Sequence, residues 1–497
     1  MTIDRRAERR LLPDISVAAA RVSRDITGMR DFLRRLLRLD RTRNFDAAAG
    51  GRRWEGVKTI DGLNATILAG ATTAARRAAW YARNNPWITS AVDSLVGNVI
   101  GSGITPRSTH SDRAVRERLH ALWLKWTDQA DAAGLADFYG LQAMAVRAMV
   151  ESGEVFARLK VAQSTESVPL QIELVDREQV PLDLHREIGG GTRIRAGVEL
   201  DHVGRRVAYW VHPSRPSDPI GPLRAEPVRV PVADCLHVFK ALAAGQLRGI
   251  TWLAPVLLRL HELDQFEDAA LVKAKVAALF AGFITDPDGS AGGLTGTNTG
   301  GVLTVGMEPG SLIPLPPGTD IRFSNPTEHD AYAPFVKNHL RAIAAGLGVP
   351  YEIVSGDLEG VTYSSIRAGL VEFRRRVEQL QYNVVVYMFC RPIWERFVRL
   401  AVLSGELPAH DFDRKPDDYL GCKWLPPKWD WVDPLKDARA EIEQIAAGLK
   451  SRTQAIAERG FDAEQIDAEL AADQARATTL GLKLSSSAKH DIGAVDD

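Results

Sequence analysis

With 497 residues, the chain is longer than one hydrophobic core normally supports, and its length favours about three domains. Hydrophobic residues make up 45% and charged residues 25%, which is typical of a folded soluble protein and excludes a disordered chain. Lys and Arg number 62 against 63 Asp and Glu, so the chain lacks the basic excess of a protein that grips DNA phosphates tightly. Either DNA is not a partner, or the contact with DNA is loose.

Residues 1–53 are rich in arginine, and arginines alternate with apolar residues between Arg30 and Arg43. A solvated helix or a loose arm is the favoured interpretation, and contact with DNA or with a scaffold protein is the alternative. No apolar core of a secretory signal follows Met1, and the longest apolar run, near Val384–Cys390, is far shorter than the ~20 residues of a membrane span. We therefore expect no targeting segment and no membrane partner.

The region that follows the arginine-rich segment has apolar residues at helical spacing. The apolar spacing predicts helices over Leu63–Arg83, from Pro86 until Gly101, over Arg113–Asp128 and over Leu135–Gly153. Asn85 is expected to cap the second of these helices, because its side chain can accept a backbone N–H and Pro86 suits the first helical position.

From Glu154 onward the apolar period changes to two, which predicts β-strands. The predicted strands are Glu154–Val161, Ile172–Leu174, Ile194–Leu200, Val207–Val211, Val228–Val232 and Leu236–Phe239. Glycine and proline turns separate them, so we expect an antiparallel β-rich block. Its histidines, His202, His212 and His237, show no metal-ligand spacing and are expected to be structural.

Long helices return after the β-rich block. Leu253–Phe280 has helical spacing with Pro255 in its first turn, and a second helix is predicted over Glu328–Ala345. Between them, residues 284–327 are rich in Gly, Pro and Thr and predict two or three short strands joined by turns. A loop is predicted after the second helix.

The helix predicted over Ser364–Cys390 is the most regular in the chain. Its apolar residues alternate in steps of four and three, which predicts a narrow seam against one long partner: Ile366, Leu370, Phe373, Val377, Leu380, Val384 and Tyr387. Nearer the C-terminus, Asp433 and Pro434 predict another helix start, Gly460 a helix end and Asp462 a further cap. The last residues, from Ser485, have the composition of a disordered tail.

No sequence motif of catalysis is present. The chain has no GxxxxGK[ST] loop, no HExxH and no GxSxG, and Gly97–Gly103 follows a helix rather than the strand of a dinucleotide-binding turn. The three cysteines, Cys235, Cys390 and Cys422, form no CxxC pair, which favours reduced, buried thiols in a cytosolic compartment. We expect no catalytic residue, no metal site and no cofactor.

Several segments together resemble the lambda-type family of phage portal proteins. They are RNNPWITSAVDSLVGNVIGSGI (Arg83–Ile104), ESGEVFARLK (Glu151–Lys160), HVFKALAAGQLRGITWLAPVL (His237–Leu257), GVPYEIVSGDLEGVTYSSIRAGLVEFRR (Gly348–Arg375) and KWLPPKWDWVDPLKDARAE (Lys423–Glu441). Each segment alone is weak evidence, but their order matches the family, and together they bracket about residues 54–480.

The resemblance implies a helix-rich α+β portal fold with wing, stem, clip and crown regions around a central channel. The implied regions are a basic N-terminal arm (1–53), the wing (54–252), a stem helix (253–283), the clip (284–327), a second stem helix (328–346), the tunnel loop (347–363), a wing helix and return (364–432), crown helices (433–482) and a disordered tail (483–497).

The resemblance also implies a function, that of a ring subunit at a unique capsid vertex through which double-stranded DNA is packaged and ejected. The implied partners are further copies of the chain (a ring typically of about twelve), the terminase large subunit, head-completion or adaptor proteins, scaffold and the major capsid protein. The implied location is the virion, and the host bacterial cytoplasm during assembly. The alternatives are another head–tail structural protein and, less favoured, a cytosolic α/β enzyme.

Two sets of residues form the candidate site that the resemblance implies. The first set is in the tunnel loop: Gly356, Asp357, Leu358, Glu359, Gly360, Thr362 and Tyr363. Its glycines and carboxylates indicate a mobile, acidic loop that touches DNA without holding it. The second set is on the stem helices: Lys273, Lys275, Lys337 and Arg341. These cations either line the channel as a sparse basic girdle, or pair with acids of a neighbouring subunit or face solvent.

Overall fold

The computed structural model describes residues 62–162, 168–218, 225–278, 282–285, 297–299, 302–304, 320–323, 332–427, 429 and 433–482. Within these residues the chain is a helix-rich α+β structure, which confirms the predicted fold class. The predicted arm at 1–53 and tail at 483–497 lie outside the described residues. In the part of the chain that the structure describes, no helix is long and apolar enough to cross a membrane.

The helices cluster before and after a β-rich middle region. In chain order they are α1 (Leu63–Asn84), α2 (Pro86–Ile100), α3 (Arg113–Thr127), α4 (Phe138–Ser152), α5 (Leu257–Ala278), α6 (Tyr332–Leu347), α7 (Tyr351–Ser355), α8 (Tyr363–Leu380), a π-helix (Gln381–Cys390), α9 (Arg391–Leu403), α10 (Pro416–Leu420), α11 (Pro434–Ala446), α12 (Arg452–Glu458) and α13 (Ala463–Thr479). Short 3₁₀ turns cover Arg177–Gln179 and Val232–Asp234.

The strands form small antiparallel sheets, as expected for the block 154–239. They are β1 (Thr105–Ser108), β2 (Glu154–Val161), β3 (Leu170–Val175), β4 (Arg186–Gly189), β5 (Thr192–Arg195), β6 (Val198–Leu200), β7 (Arg206–Val211), β8 (Val228–Pro231), β9 (Cys235–Phe239), β10 (Gly282–Thr285), β11 (Thr297–Thr299), β12 (Val302–Thr304), β13 (Asp320–Phe323) and β14 (Cys422–Leu425). The strand predicted over Ile194–Leu200 is divided into two paired strands, β5 and β6. The sheet orders are β3-β2-β9 and β4-β5-β6-β7-β8, with the pairs β1-β14, β10-β13 and β11-β12.

Helix α2 begins as its sequence predicts. The Asn85 side chain accepts a hydrogen bond from Ile88 N at 3.2 Å, and Pro86 occupies the first helical position, where its missing N–H costs no hydrogen bond. The apolar face of α2 is buried against α1 and α4. Gly101, with φ of 51°, then ends the helix in a conformation that favours glycine.

The main core is centred on aromatic side chains from three helices. The Trp123 ring of α3 lies 4.7 Å from Trp126, 5.0 Å from Phe138 of α4 and 5.0 Å from Phe397 of α9, centroid to centroid. These rings are almost wholly buried. Because each aromatic side chain buries a large apolar area, this cluster contributes strongly to the packing between helices on either side of the β-rich block.

Strand β2 separates the main core from a second, smaller core. Val155, Ala157 and Leu159 belong to the main core, whereas Phe156 points into the second core, where its ring lies 5.3 Å from that of Tyr209. The alternation predicted for this strand is therefore confirmed, but both of its faces are buried over these residues. That arrangement is expected of the central strand of a sheet.

A buried ionic cluster joins β2 to the five-stranded sheet. Arg248 lies in the connection before α5 and donates hydrogen bonds from Nη1 to the carbonyl oxygens of Val180 at 3.0 Å and Ala196 at 2.7 Å. Its Nη2 lies 2.7 Å from Oε1 of Glu154, and Arg177 contributes a second guanidinium 3.7 Å from the same oxygen. These contacts satisfy backbone carbonyls and a carboxylate that would otherwise be buried without partners.

The predicted seam helix over Ser364–Cys390 is correct in part. The chain stays helical, but α8 ends at Leu380 and a π-helix takes over from Gln381 to Cys390. A π-helix has more residues per turn, so the buried face rotates. Tyr387, predicted in the seam, is 59% exposed, while Val385, Val386 and Phe389 are buried. The prediction for Tyr387 was therefore wrong.

The long helix after the β-rich block is shorter than predicted. Helix α5 begins at Leu257 rather than Leu253, so Pro255 lies in the turn before the helix and not in its first turn. The residues described after it include two antiparallel pairs, β10 with β13 and β11 with β12. Of the described strands, β11, β12 and β13 lie wholly within the Gly/Pro-rich insert over 284–327, which agrees with the predicted two or three, and β10 crosses the predicted start of the insert.

The C-terminal helices start at the predicted caps. Asp433 accepts a hydrogen bond from Lys436 N at 3.2 Å at the start of α11, and Asp462 accepts from Glu464 N at 3.2 Å at the start of α13. Both carboxylates also complement the positive end of the helix dipole. Gly460, with φ of 76°, follows the end of α12 as predicted.

Candidate functional site

Helices α5 and α6 lie against each other and carry the cations predicted to line a channel. The Phe266 ring of α5 lies 4.1 Å from the Phe335 ring and 5.7 Å from the Tyr332 ring of α6, centroid to centroid. Further along α5, Leu271 and Val272 are 52% and 58% exposed. A helix that exposes adjacent large apolar side chains presents a surface suited to contact with another molecule.

The segment between α6 and α8 is not a loop throughout, which corrects the prediction for 347–363. Pro350 precedes a helical turn, α7, which ends at Gly356. Gly356 and Gly360 have φ of 67° and 72°, in the left-handed region that favours glycine, and Leu358 between them is 63% exposed. Thr362 then caps α8 by accepting a hydrogen bond from Ser365 N at 3.3 Å.

Asp357 connects this segment to helix α6. Its Oδ2 lies 2.9 Å from Lys337 Nζ and accepts a hydrogen bond of 2.9 Å from the hydroxyl of Tyr351. Its Oδ1 accepts a hydrogen bond of 2.9 Å from Glu359 N. The hydrogen bond from Lys337, followed by those from Glu359 N and Tyr351, lowers the pKa of Asp357 to about 2, so the group is a carboxylate at neutral pH.

Tyr351 is the aromatic centre of the same group of residues. The Lys337 ammonium lies 5.8 Å and the Arg341 guanidinium 5.5 Å from its ring centroid, within the range of cation–π contacts. The hydrogen bond with Asp357 raises the pKa of Lys337, which therefore remains an ammonium. Lys337, Arg341, Tyr351 and Asp357 are called the Asp357 cluster below.

The structure brings together only some of the predicted site residues. Lys337 pairs with Asp357 in the Asp357 cluster, and Arg341, predicted on the same second stem helix, contacts the Tyr351 ring of that cluster. Leu358, Glu359, Gly360 and Thr362 are exposed around it, and Tyr363 is the first residue of α8. The remaining two cations, Lys273 and Lys275, lie on the last turns of α5, the first half-buried and the second exposed.

Sequence reasoning missed Tyr351 and the pairing of Lys337 with Asp357. A signal existed in the residue types, because an aromatic ring and a carboxylate close in sequence can together receive a cation. Which cation they receive depends on how α6 folds back toward the loop, and the local sequence does not specify that approach. The predicted acidic character of the loop is therefore reduced, since one of its carboxylates is neutralised by a lysine.

Potential metal-ligating side chains and the three cysteines are located in the described residues. In that part of the chain, no cluster of three or more His, Cys, Asp or Glu side chains is placed to hold a metal ion. Burial raises the pKa of the Cys235 and Cys422 thiols to about 12. Cys390 is buried as predicted, whereas Cys422 is only half-buried, and all three thiols are free.

Comparisons with known proteins identify relatives over most of the chain. Residues 50–381 match the family described as "Phage portal protein, lambda family". The chain is 27% identical over 463 residues to the probable portal protein of Halomonas phage phiHAP-1, covering 89% of this chain and 88% of the relative. It is 24% identical over 471 residues to portal protein B of Escherichia phage lambda, covering 85% and 87%.

Solved structures with some similarity also exist. A chain from the neck of a native gene transfer agent particle, computed with C12 symmetry, is 15% identical. The match covers 78% of this chain and 97% of that chain, with a TM-score of 0.43.

Proposed function

Because the chain belongs to the lambda family of phage portal proteins, we propose that it assembles into the portal ring at one vertex of a phage capsid and forms the passage for DNA packaging and ejection. The observation that carries this proposal is the family match over residues 50–381, together with portal relatives that align along almost their whole length. The family is structural, which favours this role over the cytosolic enzyme.

The exposed apolar surface of α5 supports assembly into a ring. A ring subunit needs two different faces that meet around the rotation axis. Leu271 and Val272 are large apolar side chains exposed on α5 in the single chain, and contact with a neighbouring copy would remove them from water. We assign α5 and α6 to the stem on this basis, with the predicted regions from wing to crown arranged around them.

The regional assignment follows the predicted boundaries. The wing comprises 54–252 and 364–432, the stem helices 253–283 and 328–346, the clip 284–327, the tunnel loop 347–363 and the crown 433–482. In this assignment the short strand pairs β10-β13 and β11-β12 belong to the clip or its junction with the stem. A clip that contains these short strand pairs would dock the terminase large subunit during packaging and head-completion proteins afterwards.

The remaining partners follow from the same role. A portal vertex contacts scaffold and the major capsid protein during head assembly in the host cytoplasm, and it remains in the virion. The near-zero net charge of the chain fits a passage that lets double-stranded DNA slide, because strong phosphate binding would retard it. Another head–tail structural protein of the virion is the alternative, and the family match weighs against it.

The location of the chain in phage particles tests the proposed portal function. The chain carrying a short C-terminal tag would be expressed in cells that produce the phage, and purified heads would be labelled with gold against the tag. Labelling confined to a single vertex of each head is the expected result. Label distributed over the whole shell, or only on tails, would contradict the portal role.

A further inference from the structure

We propose that Lys337 is a positioning residue that holds the segment 356–362 against helix α6, and that the segment thereby presents Leu358, rather than a free Asp357 carboxylate, to the passing DNA. The second half of this inference rests on the proposed function. The first half concerns the single chain and stands independently of it.

The hydrogen bonds of Asp357 carry the inference. One carboxylate oxygen accepts hydrogen bonds from Lys337 Nζ and from the Tyr351 hydroxyl, each at 2.9 Å, and the other accepts one from Glu359 N at 2.9 Å. The backbone N–H of Asp357 donates to Ser355 Oγ at 3.1 Å. Asp357 therefore has partners on α6, on α7 and within its own turn, so it anchors the segment near its start.

Lys337 is held from a second direction by the same cluster. Its ammonium lies near the Tyr351 ring as well as the Asp357 carboxylate, and Arg341 lies on that ring one helical turn further along α6. A lysine with both an anion and an aromatic partner has less freedom to reach out to a phosphate. We therefore assign Lys337 to holding the loop and not to a basic girdle.

Gly356 and Gly360 flank the stretch of backbone that can move if the contact between Lys337 and Asp357 breaks. Gly356 and Gly360 both have positive φ, and a Cβ at either position would meet no atom within 4 Å. The chain between them is thus restrained mainly by Asp357, and Leu358 at its exposed position carries no charge. An apolar side chain can touch DNA without the salt-dependent attraction of a cation to phosphate.

Hydrogen exchange of the full-length protein tests the positioning role. Lys337→Met removes the charge but keeps much of the side-chain length, Lys337→Arg keeps the charge, and Asp357→Asn removes the anion. In Lys337→Met and Asp357→Asn, we expect the backbone amides of 356–362 to exchange about two- to fivefold faster than in wild type. The effect is modest because an exposed ion pair contributes modestly to local order. Lys337→Arg should remain close to wild type.

A matched surface pair serves as the control. Lys415 Nζ lies 3.7 Å from Asp411 Oδ2 in another exposed pair, and Lys415→Met should leave exchange at 356–362 unchanged. Wild-type exchange rates in Lys337→Met would overturn the positioning role. Uniformly faster exchange in both Lys→Met variants would also overturn it, since the effect would then not be local.

DNA retention in assembled phage heads tests separately whether the segment presents Leu358 to DNA. In heads assembled with each variant, we expect Lys337→Met to alter DNA retention while the mass of the purified ring stays at the wild-type value. Leu358→Ser should alter retention without changing exchange at 356–362. Retention unchanged in both variants would overturn the role in DNA contact, whereas failure of the wild-type chain to form a ring would contradict the proposed function alone.

Discussion

His237 donates a hydrogen bond from Nε2 to Oε2 of Glu154 at 2.8 Å, and both side chains are buried. Arg206 lies 3.1 Å from the other ring nitrogen of His237. Because a guanidinium can only donate, that nitrogen must accept, and the proton of the neutral imidazole lies on Nε2. The histidine that was predicted to be structural is thus a neutral donor within the ionic cluster that joins β2 to the five-stranded sheet.

Stability should therefore fall in mild acid. Burial is the main cause that lowers the pKa of His237 to about 4, and the nearby Glu154 opposes the shift. Below the ordinary histidine pKa of about 6.5, the unfolded chain binds a proton that the folded chain does not, so stability decreases as pH falls from about 6.5 toward 4. We expect the free energy of unfolding to decrease by about 1–3 kcal/mol over this pH range in wild type, and this decrease should be absent from His237→Gln. Urea unfolding at several pH values measures it.

His202→Gln is the control for this prediction, because His202 is exposed. Its unfolding should follow the wild-type pH dependence. A pH dependence in His237→Gln that equals that of wild type would contradict the buried neutral histidine.

Removing the charge of Glu154 should destabilise the chain more than any exposed carboxylate does. In Glu154→Gln, the guanidinium groups of Arg248 and Arg177 would remain buried without an anion. Breaking a buried ion pair from one side typically costs about 3–5 kcal/mol. The thermal midpoint should drop clearly, whereas Glu117→Gln, which breaks an exposed pair with Arg113, should leave the midpoint close to the wild-type value. Equal midpoints for the two variants would refute this role of Glu154.

The π-helix predicts which of two nearby aromatic residues supports the core. Phe389 is buried and its ring stacks 6.0 Å from that of Phe138, whereas Tyr387 is exposed. Phe389→Ala should therefore cost about 3–5 kcal/mol of unfolding free energy, and Tyr387→Ala about 1 kcal/mol or less. Denaturant titration of both variants measures the difference. A larger effect at Tyr387 would mean that the regular seam inferred from the sequence is the correct one.

Residue types within one helical turn predicted where several helices begin, whereas features that depend on contacts between distant parts of the chain were missed. Asn85 with Pro86, Asp433 and Asp462 start helices as their residue types predict, because a cap depends on neighbours within one turn. The pairing of β1 with β14 was missed, since Thr105 and Leu425 are brought together only by the whole fold. The π-helix was missed because its residues suit an α-helix equally well.

The candidate site shows the same division. Gly356 and Gly360 were identified from residue type, and both adopt the left-handed conformation. The partner of Asp357 could not be predicted, because Lys337 reaches it through the return of the chain from α6. The buried charge of Glu154 was likewise hidden in the sequence, where a glutamate at the start of a strand has the pattern of a solvated residue.

The stem assignment predicts that a charge on the exposed face of α5 blocks assembly. Leu271→Asp should abolish ring formation, because an unpaired carboxylate buried at a subunit contact is strongly unfavourable. The thermal midpoint of the single chain should change little, since Leu271 is exposed in it. Leu403→Asp, at another exposed leucine, should still form rings. Mass photometry compares the two, and rings formed by Leu271→Asp would contradict the assignment of this face to the stem contact.

The ring itself is the central claim, and the mass and shape of the purified full-length wild-type chain test it most directly. Mass photometry combined with negative-stain imaging, with scaffold present, should show a closed ring of about twelve subunits around a central hole. A compact monomer or dimer that stays small when concentrated together with scaffold would contradict the portal function.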